Sequence, residues 1–235
     1  MDIATRSSIH TARESLRQGF ICAPGGFRIG LCGTAIVDKN GVTGFKYLSS
    51  AVIRISREVK NAAKPVLNEL TKHNAFPSTL LISPPGLGKT TLLRDMCRLL
   101  SSEKGLRIGL ADERGEISSV KDGVAQFDVG DRTDIISFCP KSIAIYILLR
   151  SMNPQIIALD EITDPEDVRA AITASHCGVG LLATAHSDSP EELRRRPMYR
   201  ELLDSGAFEK IVTISMRTDT RTYTVSDAGE AKCLG

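Results

Sequence analysis

The stretch LLISPPGLGKTTLLRD, from Leu80 to Asp95, decides how this chain folds. An apolar run meets a Pro-Pro-Gly turn, and Gly88-Lys89-Thr90 then opens an amphipathic segment. This order of buried strand, tight loop and helix is typical of the phosphate-binding pattern G-x-x-x-x-G-K-[ST], although Ser83 replaces the usual first glycine. Because a strand precedes the loop and a helix follows it, the pattern favours a phosphate site over a glycine-rich turn without a ligand.

The loop supplies the groups that a nucleoside triphosphate and Mg²⁺ require. Gly86 and Gly88 allow backbone N–H groups to point at the β- and γ-phosphates, and the dipole of the following helix favours the same anion. Lys89 adds a positive charge, and the Thr90 hydroxyl can bind Mg²⁺. The sequence therefore predicts ATP and Mg²⁺ as ligands, bound by Pro85, Gly86, Leu87, Gly88, Lys89, Thr90 and Thr91.

Short apolar runs alternate with helix signals on both sides of the loop. The runs predicted as buried strands are residues 79–83, 107–111, 155–160, 179–184 and 210–214. Asp164-Pro165 and Ser189-Pro190 mark helix starts, and Gly178 marks a helix stop. Repeated strand and helix units predict an α/β fold with a mostly parallel sheet flanked by helices.

A different pattern precedes this core. The first 20 residues have a polar helical pattern, and residues 20–48 alternate like antiparallel strands around the turn sequences Pro24-Gly25-Gly26 and Asn40-Gly41. A helical stretch broken by Pro65 then links to the second domain. We expect a small antiparallel α+β domain with its linker over residues 1–73, and an ATPase domain with C-terminal strands over residues 74–235.

Two carboxylates close the apolar run IIALDE, from Ile156 to Glu161. It follows the phosphate loop by about 70 residues, with one intervening strand predicted between them. A strand that ends in this way delivers an aspartate to the magnesium shell and a glutamate to the attacking water. We assign Asp160 to Mg²⁺ through a water molecule and Glu161 as general base; the alternative is a buried strand whose end merely carries exposed acids.

Two further strand ends carry polar side chains. RIGLADERGEI places Asp112, Glu113 and Glu116 at the carboxyl edge of the sheet, where α/β proteins bind ligands, although a solvated acidic loop explains the pattern nearly as well. LLATAHSDS places His186 at another strand end, where an imidazole can sense a γ-phosphate or hold the base. A buried structural histidine is the alternative.

Eight stretches together resemble one family of proteins. They are PGGFRIGL, ISREV, LLISPPGLGKTTLLRD, ADERGEI, DVGDRTDI, LLRSMNPQIIALDEI, TAHSDS and RRPMYRELLDSGAFEKIV. They resemble the family of stage III sporulation protein AA, which is similar to the RecA-like ATPases of type II and type IV secretion and to pilus retraction motors. The resemblance implies a RecA-like P-loop NTPase core. It also implies catalytic or nucleotide-binding roles for an aspartate box, ADERGEI, and a histidine box, TAHSDS.

The resemblance has consequences for assembly as well. Motors of this type carry a small preceding domain whose arginines reach a neighbour's nucleotide, and Arg28, Arg54 and Arg57 stand where those arginines are expected. A guanidinium supplied at a subunit joint stabilises the charge that spreads over the transferred phosphoryl group. The alternative is that these arginines keep edge strands soluble. The resemblance also implies a segment upstream of Met1.

Composition limits the remaining functions. With 42% hydrophobic and 25% charged residues among 235, a net charge of +2 and no apolar run near 20 residues, the sequence argues against disorder and predicts no transmembrane segment. Six cysteines without a C-x-x-C pair indicate a reducing, cytosolic compartment. No tryptophan and 5% aromatic residues leave no visible track for single-stranded nucleic acid.

Three functional hypotheses remain. The first is an ATP-hydrolysing motor, a homohexameric ring in the mother-cell cytoplasm that works with membrane proteins and powers a channel into the forespore; the ring and the channel come from the resemblance alone. The second is a RecA-like ATPase stimulated by nucleic acid. The third is a nucleotide-gated binding switch with little turnover.

Overall fold

The computed structural model describes residues 19–39, 41–55, 57–72, 75–218 and 220–229, which form two compact units. The small unit comprises the described residues up to Glu58 together with Ser118–Asp128. The large unit comprises Val59–Ile117 and the described residues from Val129 onward. The division at residue 73 drawn from the sequence stays a prediction about independently folding domains.

The small unit is built on a three-stranded antiparallel sheet. Its strands are β1 (Phe20–Ala23), β2 (Phe27–Asp38) and β3 (Gly41–Arg54), and β2 lies between the other two. The predicted antiparallel strands and the turn at residues 24–26 are confirmed. Asn40 and the helical pattern of residues 1–18 lie outside the described residues. Gln126 ties the segment Ser118–Asp128 to this sheet by accepting a 3.0 Å hydrogen bond from the Gly25 N–H.

A bulge in the long hairpin depends on glycine. The register between β2 and β3 shifts on either side of Gly33, where an added Cβ would stand 1.9 Å from the carbonyl oxygen of Tyr47. We expect Gly33→Ala to destabilise the hairpin by about 1–3 kcal/mol, because backbone cannot yield as a flexible side chain does. Hydrogen exchange of the β2 and β3 amides measures the change. Gly44→Ala is the control, since its Cβ would meet no atom within 4 Å, and equal exchange in both variants would contradict the prediction.

The large unit is a seven-stranded sheet flanked by helices. Its strands are β4 (Thr79–Ser83), β5 (Ile108–Asp112), β6 (Thr133–Ser137), β7 (Ile156–Leu159), β8 (Gly180–His186), β9 (Lys210–Arg217) and β10 (Thr220–Asp227). The helices are α1 (Lys64–Leu70), α2 (Lys89–Ser102), α3 (Lys141–Ser151), α4 (Pro165–His176), α5 (Pro190–Arg195) and α6 (Pro197–Asp204). The strand order is β10-β9-β4-β8-β7-β5-β6, and β10 alone in this sheet pairs antiparallel.

The core lies on both faces of this sheet. Helices α3 to α6 cover one face, where Leu80, Ile82 and Leu159 are fully buried, while α2 covers the other with Leu93 and Met96. All residues of β4 are buried, as expected of a central parallel strand. The predicted α/β fold with a mostly parallel, helix-flanked sheet is thus confirmed.

Local helix signals were reliable. Asp164 caps α4 by accepting from the Glu166 N–H at 2.8 Å, and Ser189 caps α5 by accepting from the Glu192 N–H at 3.2 Å. Each helix begins at the proline that follows its cap. Among the described residues, none of the helices combines the length and the apolar character needed to cross a membrane.

The structure corrects one detail of the sequence interpretation and adds the order of the strands. Two strands, β5 and β6, intervene along the chain between the phosphate loop and IIALDE, where one was predicted. Strand β6 was not predicted, because the residues of this edge strand are only partly buried and form no continuous apolar run. Within the sheet, β8 lies between β4 and β7. The strand that ends in His186 therefore lies between the strand before the phosphate loop and the strand before Asp160 and Glu161.

Candidate functional site

Three neighbouring strands end together at the carboxyl edge of the large sheet. In the parallel register Ser83 of β4 pairs with His186 of β8, and Ala183 of β8 pairs with Leu159 of β7. Asp160 and Glu161 directly follow β7. The register thus gathers the phosphate loop, the histidine box and the two acids at one edge, which is where α/β sheets bind ligands.

The loop between β4 and α2 has the backbone form that an anion site needs. Gly86 and Gly88 have φ angles of +80° and +91°, a region that L side chains rarely adopt. Gly88 caps α2 without a side-chain hydrogen bond, and the first turn of α2 contains no acidic residue. Among the described residues, therefore, no capping side chain and no acid of the first turn competes for the positive dipole end of α2, which fits a phosphate.

The Lys89 ammonium is held at the strand ends. It donates to the Ser83 carbonyl oxygen at 2.9 Å, the Ser83 hydroxyl at 3.1 Å and the Pro84 carbonyl oxygen at 3.2 Å, and its Nζ lies 2.7 Å from Nδ1 of His186. Lys89 is 7% exposed. Burial lowers the pKa of this ammonium from its ordinary value, while the carboxylates of Glu161 and Asp160 oppose the shift.

His186 connects the phosphate-loop lysine to the predicted general base. Because an ammonium only donates, Nδ1 of His186 is the acceptor in its contact with Lys89. Nε2 lies 3.2 Å from Oε2 of Glu161. The chain Lys89, His186, Glu161 therefore joins the phosphate loop to the acid that is predicted to activate water.

Asp160 is oriented by a neighbour on β8. The Thr184 hydroxyl donates to Oδ1 of Asp160 at 2.9 Å, which fixes the carboxylate beside the loop. Thr90, which is half-buried, lies in the first turn of α2. Thr90 and Asp160 are oxygen donors of the kind that Mg²⁺ prefers, and they would hold it; when bound, Mg²⁺ supplies positive charge to the phosphates.

The residues of the aspartate box form hydrogen bonds within the large unit. Asp112, 1% exposed, accepts from the backbone N–H groups of Glu116 and Ile117 at 2.9 and 3.2 Å and so shapes the loop that follows β5. Arg94 of α2 donates to the carbonyl oxygens of Glu116 and Ile117. Arg94 therefore connects the phosphate-loop helix to the aspartate box by hydrogen bonds. Direct roles of these acids at a nucleotide stay predictions.

A buried lysine organises the other end of the aspartate box. Lys141, 6% exposed, forms ion pairs with Glu113 and, at 3.5 Å, with Asp167 of α4. Two carboxylates around one buried ammonium compensate its desolvation. Glu113 is thereby tied to the α3 and α4 layer of the large unit.

The three predicted trans-acting arginines belong to the small unit. Arg28 and Arg54 are partners across β2 and β3, and the Arg28 guanidinium stacks over the Phe20 ring, 3.5 Å from its centroid. Arg54 and Arg57 are exposed. The structure brings Lys89, His186, Asp160 and Glu161 together in the large unit, and the role of the arginines stays a prediction.

Several residues of the site were not predicted from the sequence. Thr184 stands two residues before His186 and hence on the same face of β8, a signal that strand alternation offered. Lys141 opens α3, where a cation opposes the helix dipole and so hints at buried carboxylate partners. Ser83, read only as a departure from the loop pattern, accepts a hydrogen bond from Lys89 through its hydroxyl.

Comparison of the sequence with known proteins gives a clear family match. The family model described as Sporulation stage III, protein AA matches residues 1–226. Stage III sporulation protein AA of Bacillus subtilis (strain 168) is 38% identical over 212 residues, which cover 88% of this chain and 69% of that protein. Protein SEEDLING PLASTID DEVELOPMENT 1 of Arabidopsis thaliana is 29% identical over 160 residues, 67% of this chain and 22% of that protein.

Comparison with solved structures shows that the fold is similar to that of secretion and pilus ATPases. The ATPase DotB of Yersinia pseudotuberculosis matches with a TM-score of 0.60 and 15% identity over 99% of this chain and 69% of that one. DotB of Legionella pneumophila matches with a TM-score of 0.57 and 15% identity, covering 87% and 62%. The pilus retraction motor PilT, solved with bound ADP, matches with a TM-score of 0.56 and 16% identity, covering 85% and 58%. The chain therefore has the fold of these ATPases.

Proposed function

The chain belongs to the Sporulation stage III, protein AA family, and on this basis we propose that it is an ATP-hydrolysing motor of the secretion-ATPase type. One observation carries the proposal: the contacts from Lys89 through His186 to Glu161 join a phosphate loop to an acid at one sheet edge. A binding switch needs the loop but has no need of an acid placed to activate water.

The proposed reaction is hydrolysis of the β–γ phosphoanhydride. The loop N–H groups and Lys89 bind the phosphates and stabilise the charge that develops on them. Glu161 accepts a proton from a water molecule while the oxygen of that water attacks the γ-phosphorus. The bond between the γ-phosphorus and the bridging oxygen breaks, which releases ADP and phosphate. His186, which contacts both Lys89 and Glu161, is suited to report the loss of the γ-phosphate to both.

The motor is proposed to work as a homo-oligomer, a hexameric ring in the mother-cell cytoplasm. ATP in one subunit draws in the small sheet of a neighbour through Arg28, Arg54 or Arg57, and hydrolysis releases it. Membrane proteins of a sporulation channel between mother cell and forespore are the proposed partners. The family membership and the likeness to secretion and pilus ATPases support this assignment.

ATP turnover per subunit is expected to rise steeply with protein concentration. If the arginines act across a joint between subunits, a site is complete only in the assembled state. The measurement is phosphate release over a wide range of protein concentration, with mass determined in parallel. Removal of Arg54 and Arg57 together is expected to lower turnover of the assembled protein, and unchanged assembly-dependent turnover would disprove their role.

The same titration distinguishes the alternatives. ATP binding with background turnover at every concentration would indicate a nucleotide-gated switch. Turnover that rises only when single-stranded DNA is added would indicate a nucleic-acid-stimulated ATPase. Turnover that does not depend on concentration would support an ATPase but would contradict a site shared between subunits.

A further inference from the structure

An arginine outside every motif of the sequence covers the phosphate loop. Arg221 lies on β10, opposite Met216 of β9, and is exposed. A methyl group built on Gly88 would stand 3.2 Å from both Cζ and Nη1 of Arg221 and 3.3 Å from Nη2. The guanidinium therefore lies directly over the glycine at which α2 begins.

This position is electrostatically unfavourable for an arginine on its own. The N-terminus of α2 carries the positive end of the helix dipole, and Lys89 adds a further positive charge in its first turn. Within the part of the chain that the structure describes, no carboxylate forms an ion pair with Arg221. The guanidinium and the N-terminus of α2 thus place positive charge side by side, and one anion that accepts hydrogen bonds from both would relieve their repulsion.

We propose that Arg221 is a nucleotide-binding residue, whose guanidinium shares one phosphate group of ATP or ADP with the loop that contains Gly88. This inference rests on the proposed function and extends its site to the C-terminal hairpin. The planar fork of Arg221 can donate two parallel hydrogen bonds to phosphate oxygens, which a lysine ammonium cannot reproduce. A side chain at position 88 would crowd this contact, because even a methyl group there would stand 3.2 Å from the guanidinium.

Binding of ADP tests the inference without relying on turnover. The dissociation constant for ADP is measured by calorimetry on the full chain for wild type, Arg221→Ala, Arg221→Lys and Arg217→Ala. Arg217 is the matched control, because it is an exposed arginine of the same hairpin whose pairing position opposite Thr220 puts it on the other face from Arg221. Lys89→Ala reports whether binding uses the phosphate loop at all.

We expect Arg221→Ala to weaken ADP binding about tenfold or more, Arg221→Lys to restore only part of it, and Arg217→Ala to match wild type. If Lys89→Ala weakens binding while Arg221→Ala does not, the inference is overturned and the proposed function stands. Equal weakening by Arg221→Ala and Arg217→Ala would overturn it too, since that result reflects general charge. Absence of ADP binding in wild type would overturn both.

Discussion

Replacement of Glu161 by glutamine is expected to lower ATP turnover by about two to four orders of magnitude while ATP binding persists. The amide cannot accept the proton of the attacking water, yet it keeps the size of the side chain. Nε2 of His186 lies 3.2 Å from Oε2 of Glu161, and the amide oxygen of glutamine can still accept a hydrogen bond from that nitrogen. Binding groups on the loop are untouched, so chemistry and binding separate in this variant.

Phosphate release and ATP calorimetry on the same preparation check this expectation. Glu166→Gln is the control, because Glu166 is an exposed residue of α4 whose side chain forms an ion pair with Arg169. That variant is expected to retain wild-type turnover. If Glu161→Gln also keeps its turnover, the general base is another group and the assignment made from IIALDE fails. Loss of binding together with turnover would instead give Glu161 a structural role.

Replacement of Lys89 by alanine is expected to reduce ATP affinity about tenfold or more and to lower hydrolysis to background. The ammonium is the charge that the loop directs at the phosphates, and its three oxygen acceptors and His186 show how closely it is positioned. Lys89→Arg is expected not to restore activity. The site is buried, and a guanidinium is larger and planar, so it cannot occupy the same contacts.

Calorimetry with ATP and with ADP, followed by phosphate release, measures the effect of Lys89→Ala. Lys72→Ala is the matched control, since Lys72 is an exposed lysine whose ion pair with Glu69 contributes little. ATP affinity equal to that of wild type in Lys89→Ala would contradict the phosphate-loop assignment. The two variants distinguish a motor from a switch. A nucleotide-gated switch loses nucleotide binding in Lys89→Ala, but Glu161→Gln does not change its function.

Much of the site was visible in the sequence because its members sit at ends of short local patterns. Ser83, Lys89 and Thr90 belong to one strand, loop and helix, and Asp160 and Glu161 close one apolar run. The ion pair between Lys141 and Glu113 had no such pattern. It joins the first turn of α3 to the end of β5, two elements whose proximity no local spacing encodes.

The sequence by itself determined the features that depend on neighbours a few residues apart. These are the phosphate loop with its glycines, the proline helix starts with their caps, and the buried parallel strands, because turn geometry, capping and hydrophobic periodicity act over three or four residues. The family was likewise readable from motifs alone, and the match over residues 1–226 bears it out.

Only the tertiary structure decided which of these features meet. The strand order places β8 between β4 and β7, and this places His186 between Lys89 and Glu161. The antiparallel return of β10 carries Arg221 back over Gly88. Both results come from packing of distant segments, since strand order is set by how the two apolar faces of the sheet are buried together, and no short stretch of sequence contains that information.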